Sequence, residues 1–312
     1  MTKLSYIAQY ISDIGFRLFV IKAIRSLYYK SNSKISWKIN EWNERCVAKY
    51  LRHEIQNIDI DFPTLLGKPN PSVPDESIFI MWWQGEQNAP ELVKACIKSV
   101  RAHAGRHKVI IITQDNINDF INLPDFIKRK VQQGNITFTH LSDIIRLNLL
   151  TLYGGAWIDA TVFCAKNIPE SLFERPFYSI HFGKYTKDPS HGRWTTFLLF
   201  AQRDNAIVKR TLEYHYKYWY KHHVIIDYIM FDYLISEVLS QDDALNKMVD
   251  DIPVNNKDVF ELMDHLEDRS FSIKDFLNEH DSIFYKLSWK HKFKDAEKII
   301  GLLNDLLDCG RI

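Results

Sequence analysis

The chain has 312 residues, 46% of them hydrophobic and 25% charged, which is ordinary for a globular protein and leaves room for one large α/β domain with decorations or for two domains. Lys and Arg number 40 against 39 Asp and Glu, a net charge of +1, so no global field argues for a nucleic-acid partner. No apolar run is long enough to span a bilayer, no signal peptide is evident, and Cys46, Cys96, Cys164 and Cys309 lack metal-type spacing, so the expectation is reduced thiols in a cytoplasmic protein.

Residues 4–30 read as a helix rich in Ile, Leu, Phe and Tyr, interspersed with Arg17, Lys22, Arg25 and Lys30. Such a helix either lies on an anionic membrane surface or packs on the core with its charges solvated, and both readings stay open. Residues 34–57 continue as helix, with Trp37 and Trp42 as anchors. The segment from Asp61 to Pro74 carries Pro63, Pro69, Pro71 and Pro74 and reads as a linker. The expected division is a helical arm at 1–60, a Pro-rich linker at 61–75 and an α/β domain at 76–312. Within that domain the chain divides into a regular first half at about 76–170 and a less regular second half at about 171–312.

After the linker the pattern alternates. Ser77 to Trp83 is a buried-type strand, Pro90 to His103 a helix with Pro90 in its first turn, and Lys108 to Thr113 a second buried strand. Helices follow near 115–121 and 124–132, then a short strand at 135–139 and an apolar helix at 141–153. This alternation predicts a mainly parallel sheet with helices on both faces. Its ligands bind beyond the C-terminal strand ends, where Trp82, Thr113 and Asp159 fall.

The stretch from His140 to Thr161 is the most informative. Asp143 and Arg146 are three residues apart on a helix and project from one face. Tyr153-Gly154-Gly155 ends that helix, and Ala156-Trp157-Ile158 is a short strand delivering Asp159 and Thr161. Taken alone, Asp159 reads as a strand-end cap and Asp143–Arg146 as an ordinary ion pair. Converging, the acids, guanidinium and hydroxyl suit a divalent cation and a diphosphate.

The second half is less regular. Phe177 to His181 and Thr195 to Phe200 look like strands, with helices at about 205–222, 228–240 and 293–307. The Tyr- and His-rich run 214–223 has helical spacing and reads as a packed or solvated face, so His215, His222 and His223 make no metal set. No Ser-His-Asp, Walker-type or dinucleotide glycine pattern appears.

With Ser142-Asp143-x-x-Arg146, Tyr153-Gly154-Gly155 and Asp159-x-Thr161 in this order, the chain resembles the sugar transferases that include yeast-type mannosyltransferases and the large clostridial glucosylating toxins. It is more similar to the bacterial capsular polysaccharide synthesis branch, whose strand also reads Trp-Ile-Asp-Ala-Thr, here Trp157 to Thr161. Further branch-like segments are Trp82-Trp83-Gln84-Gly85 with Ala89-Pro90, Gly192-Arg193-Trp194-Thr195, Ile226 to Tyr233, and Lys286-Leu287-Ser288-Trp289-Lys290. The resemblance runs from about residue 76 to 290.

It implies a GT-A-like α/β fold and a glycosyltransferase of the hexosyltransferase type, with a donor half at about 76–170 and an acceptor side with a C-terminal lid at about 171–312. The donor would be a nucleotide-sugar, a UDP-sugar first among them, and transfer would retain configuration. The acceptor would be a saccharide or lipid-linked oligosaccharide in capsular or exopolysaccharide synthesis, with peripheral membrane contact through the N-terminal helices at the inner face of the cell membrane. Asp159 would be the first acid of Asp-x-Asp, binding Mn²⁺ or Mg²⁺ with Thr161, a weaker ligand standing where a second acid is usual. Asp143 and Arg146 would contact the donor sugar and diphosphate, Trp82, Trp83 and Gln84 the nucleotide, with Trp82 favoured for the base. Ser288, Trp289 and Lys290 would close over the diphosphate, and Arg193, Trp194 and Asp232 would serve the acceptor. The rivals are a sugar-phosphate transferase, attacking at phosphorus, and a non-catalytic scaffold of the assembly machinery.

Overall fold

The computed structural model describes residues 3–266 and 272–309. The two apolar runs after the proline-rich segment form β1 (Ile78–Met81) and β2 (Val109–Ile112). The remaining strands are β3 (Gly155–Ile158), β4 (Val162–Cys164), β5 (Phe177–Ser179), β6 (Leu198–Ala201) and β7 (Phe284–Lys286). Five of them make one sheet in the order β2-β1-β3-β6-β5, while β4 and β7 form a separate two-stranded ribbon.

Strands β2, β1 and β3 are parallel, as the alternation predicted, but β6 runs antiparallel to both β3 and β5. Parallel neighbours need a crossover, and helices supply it between β1 and β2 and between β2 and β3. No helix separates β5 from β6, so the chain returns antiparallel. The sheet is therefore mixed.

The helices are α1 (Lys3–Asp13), α2 (Phe16–Tyr28), α3 (Lys34–Gln56), α4 (Phe62–Leu66), α5 (Glu91–His103), α6 (Asp125–Gln132), α7 (Phe138–Tyr153), α8 (Ala206–Lys221), α9 (Met230–Ser240), α10 (Asp243–Asp250), α11 (Glu261–His265), α12 (Ile273–Glu279) and α13 (Ala296–Cys309). No helix of the described residues is long and apolar enough to cross a membrane. Cys46, Cys96 and Cys164 are free thiols, and the side chain of Cys309 lies outside the described part.

The expected strand at 135–139 does not form. Thr137 instead caps α7, its hydroxyl accepting from the His140 N–H, and Phe138 and Thr139 enter the first turn. Nearly every residue of α7 from His140 onward is buried, so it is a central helix and not a solvated cover. It ends at Gly154 and Gly155, with φ of 66° and 86°. A Cβ at Gly155 would lie 2.2 Å from the Ser77 carbonyl oxygen, and one at Gly154 would lie 2.6 Å from the Arg203 nitrogen. The glycine pair thus lets β3 start against Ser77, whose carbonyl accepts from the Ala156 N–H at 2.9 Å.

The N-terminal helices pack onto the same core as the sheet: Tyr10, Ile14, Leu18, Ile21, Val47 and Leu51 all join it. The Tyr10 hydroxyl donates to the Ile226 carbonyl at 2.9 Å, and Arg25 pairs with Asp227 at 3.1 Å. The opposite face leaves Leu4, Phe16 and Leu27 exposed at 80%, 65% and 82%. In the proline-rich segment, Asp61 caps the one-turn α4. A second core joins α11, α12 and α13 to α5 and the β4–β7 ribbon through Leu92, Phe163, Leu262, Phe276, Tyr285 and Leu303.

Candidate active site

Two clefts meet beyond the C-terminal ends of β1 and β3. The first, about 270 Å³, is lined by Trp82, Trp83, Gln84, Phe138, Ser142, Asp159 and neighbours. The second, about 540 Å³, is lined by Tyr228, Phe260, Met263, Asp264, Lys286 and Ser288 among others. Thr161, Trp289 and Lys290 line both.

Asp159 stands where β3 gives way to the turn before β4. Its N–H donates to the Phe197 carbonyl and its own carbonyl accepts from Val162, both at 2.9 Å. Oδ1 accepts from Trp157 Nε1 at 2.8 Å and from Arg146 Nη2 at 3.2 Å, and Oδ2 from Lys286 Nζ at 2.7 Å. About a quarter of the side chain, 27%, meets solvent. Burial by itself would raise its pKa, but Lys286 and Arg146 more than offset that and hold the carboxyl below its ordinary value.

Arg146 is buried with only 4% of its side chain exposed, and it bridges Asp159 to Asp143, 3.4 Å from its guanidinium. It also donates to the Thr196 carbonyl and lies 4.9 Å from the Trp157 ring centre. Asp143 is buried too, with His140 Nδ1 at 3.5 Å. Asp143–Arg146 is therefore no surface pair. Lys286, Arg146, Asp159 and Asp143 form a chain of alternating charge with no net surplus. Neither Asp143 nor Arg146 lines either of these two clefts; Arg146 connects to them through its contact with Asp159.

Trp82 and Trp83 both line the first cleft. Trp83 packs against Phe138 at 5.6 Å, and Trp82 meets Trp289 edge-on at 5.8 Å and 84°. Ser288, Trp289 and Lys290 are exposed at the mouth, where Trp289 meets Trp82. The residues expected on the acceptor side line neither of these two clefts. Arg193 is tied to Asn246 and Asp250 at 2.9 Å each. Trp194 is 1% exposed and donates from Nε1 to Asp232 at 2.9 Å, and none of the three lines either cleft. His215 is fully buried in α8 against Phe231, the packed face its spacing suggested.

Spacing did not single out Lys286, Phe138, Tyr228 or Phe260. Lys286 reaches Asp159 only because β7 pairs with β4, Val162 opposite Lys286, with the Leu287 N–H donating to the Thr161 carbonyl at 2.9 Å. That register is not encoded locally.

A divalent cation needs oxygen ligands that are free to bind it. At Asp159 an ammonium, a guanidinium and an indole N–H already take both carboxylate oxygens, and Thr161 adds only a neutral hydroxyl. Two other clusters place three carboxylate or imidazole groups within reach of one ion among the described residues: Glu76, His107 and Glu170, and Asp258, Glu261 and His280. Neither includes Asp159. In the first, Arg106 already pairs with Glu76 at 2.8 Å and with Glu170 at 2.9 Å. In this arrangement Asp159 and Thr161 do not fit a resident divalent cation.

The family described as capsular polysaccharide synthesis protein matches residues 26–305. Over 180 residues the chain is 24% identical to the O-glycosyltransferase braB of Annulohypoxylon truncatum, covering 52% of this chain and 42% of that protein. Over 128 residues it is 24% identical to the O-glycosyltransferase PaGT of Phomopsis amygdali, covering 37% and 31%. The chain thus spans less than half the length of these curated relatives. The solved PaToxG glycosyltransferase structure aligns with 69% of this chain and 84% of its own at 12% identity, with a TM-score of 0.33.

Proposed function

The chain belongs to the capsular polysaccharide synthesis protein family, and from that membership and the Asp159 clefts we propose a glycosyltransferase that draws on a nucleotide-sugar, a UDP-sugar first among them. The acceptor is a saccharide, lipid-linked in capsular or exopolysaccharide assembly, and the fold is of the GT-A-like kind. The observation that carries the reading is an aromatic cleft ending on the fixed charge chain Lys286–Asp159–Arg146–Asp143.

The Trp83 and Phe138 rings offer apolar aromatic surface to a nucleobase. From there the diphosphate runs toward Lys286 and Lys290, and the donor sugar sits where the two clefts meet at Thr161. The second cleft, with Tyr228, Phe260 and Asp264, takes the acceptor, since aromatic faces pack on sugar rings and a carboxylate accepts from hydroxyls. In the transfer the bond between the anomeric carbon and the diphosphate oxygen breaks, and the acceptor oxygen bonds to the same carbon. Its proton passes to the departing diphosphate on the same face, so configuration is retained. Arg146 is a positioning residue that holds Asp159, and the 288–290 segment excludes water from the donor. The exposed Leu4, Phe16 and Leu27, with the exposed Arg17 and Lys30, would keep the enzyme near a lipid-linked acceptor.

The test is turnover of UDP- and GDP-sugars by wild type and Asp159→Ala, with the released nucleotide identified. Nucleoside diphosphate release lost in the variant is the expected outcome. Monophosphate release points to sugar-phosphate transfer instead, and a trapped covalent sugar–enzyme adduct would rule out front-face attack.

A further inference from the structure

We infer that Lys286 does the electrostatic work of a divalent cation, receiving the donor's diphosphate and stabilising it as it leaves, so that nucleotide binding here is independent of metal. This rests on the glycosyltransferase reading above and goes beyond it by naming the group that meets the diphosphate.

Three independent features converge on Lys286. Backbone pairing fixes its position: β7 lies opposite β4, and the Lys286 N–H donates to the Val259 carbonyl at 2.6 Å. Its ammonium is held from two sides, 2.7 Å from Asp159 Oδ2 and 4.8 Å from the centre of the Phe197 ring. The side chain still keeps 22% of its surface open and lines the second cleft beside Thr161 and Ser288. An ammonium carries three N–H donors, so one bond to Asp159 leaves two for phosphate oxygens.

The surrounding charges favour the same reading. Asp143 and Asp159 are already matched by Arg146 and Lys286, so the site holds no negative surplus to attract a dication. A metal entering at Asp159 Oδ2 would have to displace an ammonium or sit against it, and Thr161 supplies no charge to offset that repulsion. An incoming diphosphate meets the opposite situation, with Lys286 in the cleft wall and Lys290 at the mouth. Asp159 then serves as the anchor that keeps the ammonium aimed, and the bonds that break and form remain those of the transfer described above.

The experiment is calorimetric titration of UDP, GDP and dTDP into wild type, Lys286→Met and Lys286→Arg, each in EDTA and in Mn²⁺. Thermal melts of all three proteins serve as a check on folding. Met keeps an unbranched stem over Phe197 and removes the charge, and Arg restores it. The expected result is the same affinity in EDTA and in Mn²⁺ for wild type. A loss of about 10- to 100-fold is expected in Lys286→Met and substantial recovery in Lys286→Arg. Wild-type binding that appears only with Mn²⁺, or a folded Lys286→Met variant that binds like wild type, overturns the inference and leaves the glycosyltransferase reading standing. If no diphosphate binds under either condition, both fall.

Discussion

At the scale of single residues the site is a run of neutralised charges, and its stability and chemistry are linked through Arg146. Replacing Arg146 by Ala leaves Asp143 buried without its guanidinium and Asp159 held by Lys286 and the Trp157 indole alone, a class of change that costs about 3–5 kcal/mol. Urea denaturation should show a loss of that order. Arg146→Lys should recover only part of it, because a single ammonium nitrogen lacks the span by which the guanidinium reaches Asp143, Asp159 and the Thr196 carbonyl together. A loss under about 1 kcal/mol in Arg146→Ala would place the pair among weak surface contacts. Asp232 gives a pH signature of its own. Burial first, then the nearby Asp188, push its carboxyl from the ordinary 3.8 up to about 8. Across that window the folded protein holds a proton that the unfolded chain has released, so this group's contribution to stability falls as pH rises and is lowest above about 8. Asp232→Asn, which keeps an acceptor for the Trp194 indole, should flatten that fall in a urea-midpoint profile against pH. Parallel profiles would contradict it. Asp143, Arg146 and Asp159 were legible in the sequence because helix spacing and a Gly-Gly break act locally. Lys286 was not, being 127 residues from Asp159 and joined to it only by strand register.

At the scale of elements, the α7–Gly154–Gly155–β3 unit carries the site and tolerates little change. Gly155→Ala combines a positive φ with a backbone clash and should lower stability by ~2–3 kcal/mol, visible as a depressed thermal midpoint. The 288–290 segment should behave as a cover. Trp289→Ala removes the edge contact with Trp82 and should raise donor hydrolysis relative to transfer, measured as nucleoside diphosphate released with and without acceptor. An unchanged ratio would remove the segment from that role. For α1 and α2, co-sedimentation with anionic and with neutral vesicles tests the exposed Leu4, Phe16 and Leu27, and replacing all three by Ser should abolish any anionic preference. Most of these elements were readable from periodicity. The segment 135–139 was not, because its β-type composition was overridden by Thr137 acting as a helix cap, a choice between two local hydrogen bonds that composition does not decide.

At the scale of the whole molecule, the half-sheet β2-β1-β3 and its crossover helices followed from the alternation of apolar runs, and they place Trp82 and Asp159 at one rim. The antiparallel half was not legible, since a loop between β5 and β6 carries no signal of strand direction. The packing of the N-terminal helices was likewise hidden, because an amphipathic helix shows one apolar face without saying what covers it. Here Tyr10, Ile14 and Leu18 face the core, as the packed reading of that segment expected, while Leu4, Phe16 and Leu27 are exposed. The most direct measurement is a time course of nucleotide release from UDP-, GDP- and dTDP-sugars, wild type against Asp159→Ala, with the Asp159→Ala fold checked by its thermal midpoint. The expected result is nucleoside diphosphate from one donor class, with turnover at least about 100-fold slower in the variant. Equal release by both proteins, or none from any donor in wild type, would contradict glycosyl transfer at this cleft.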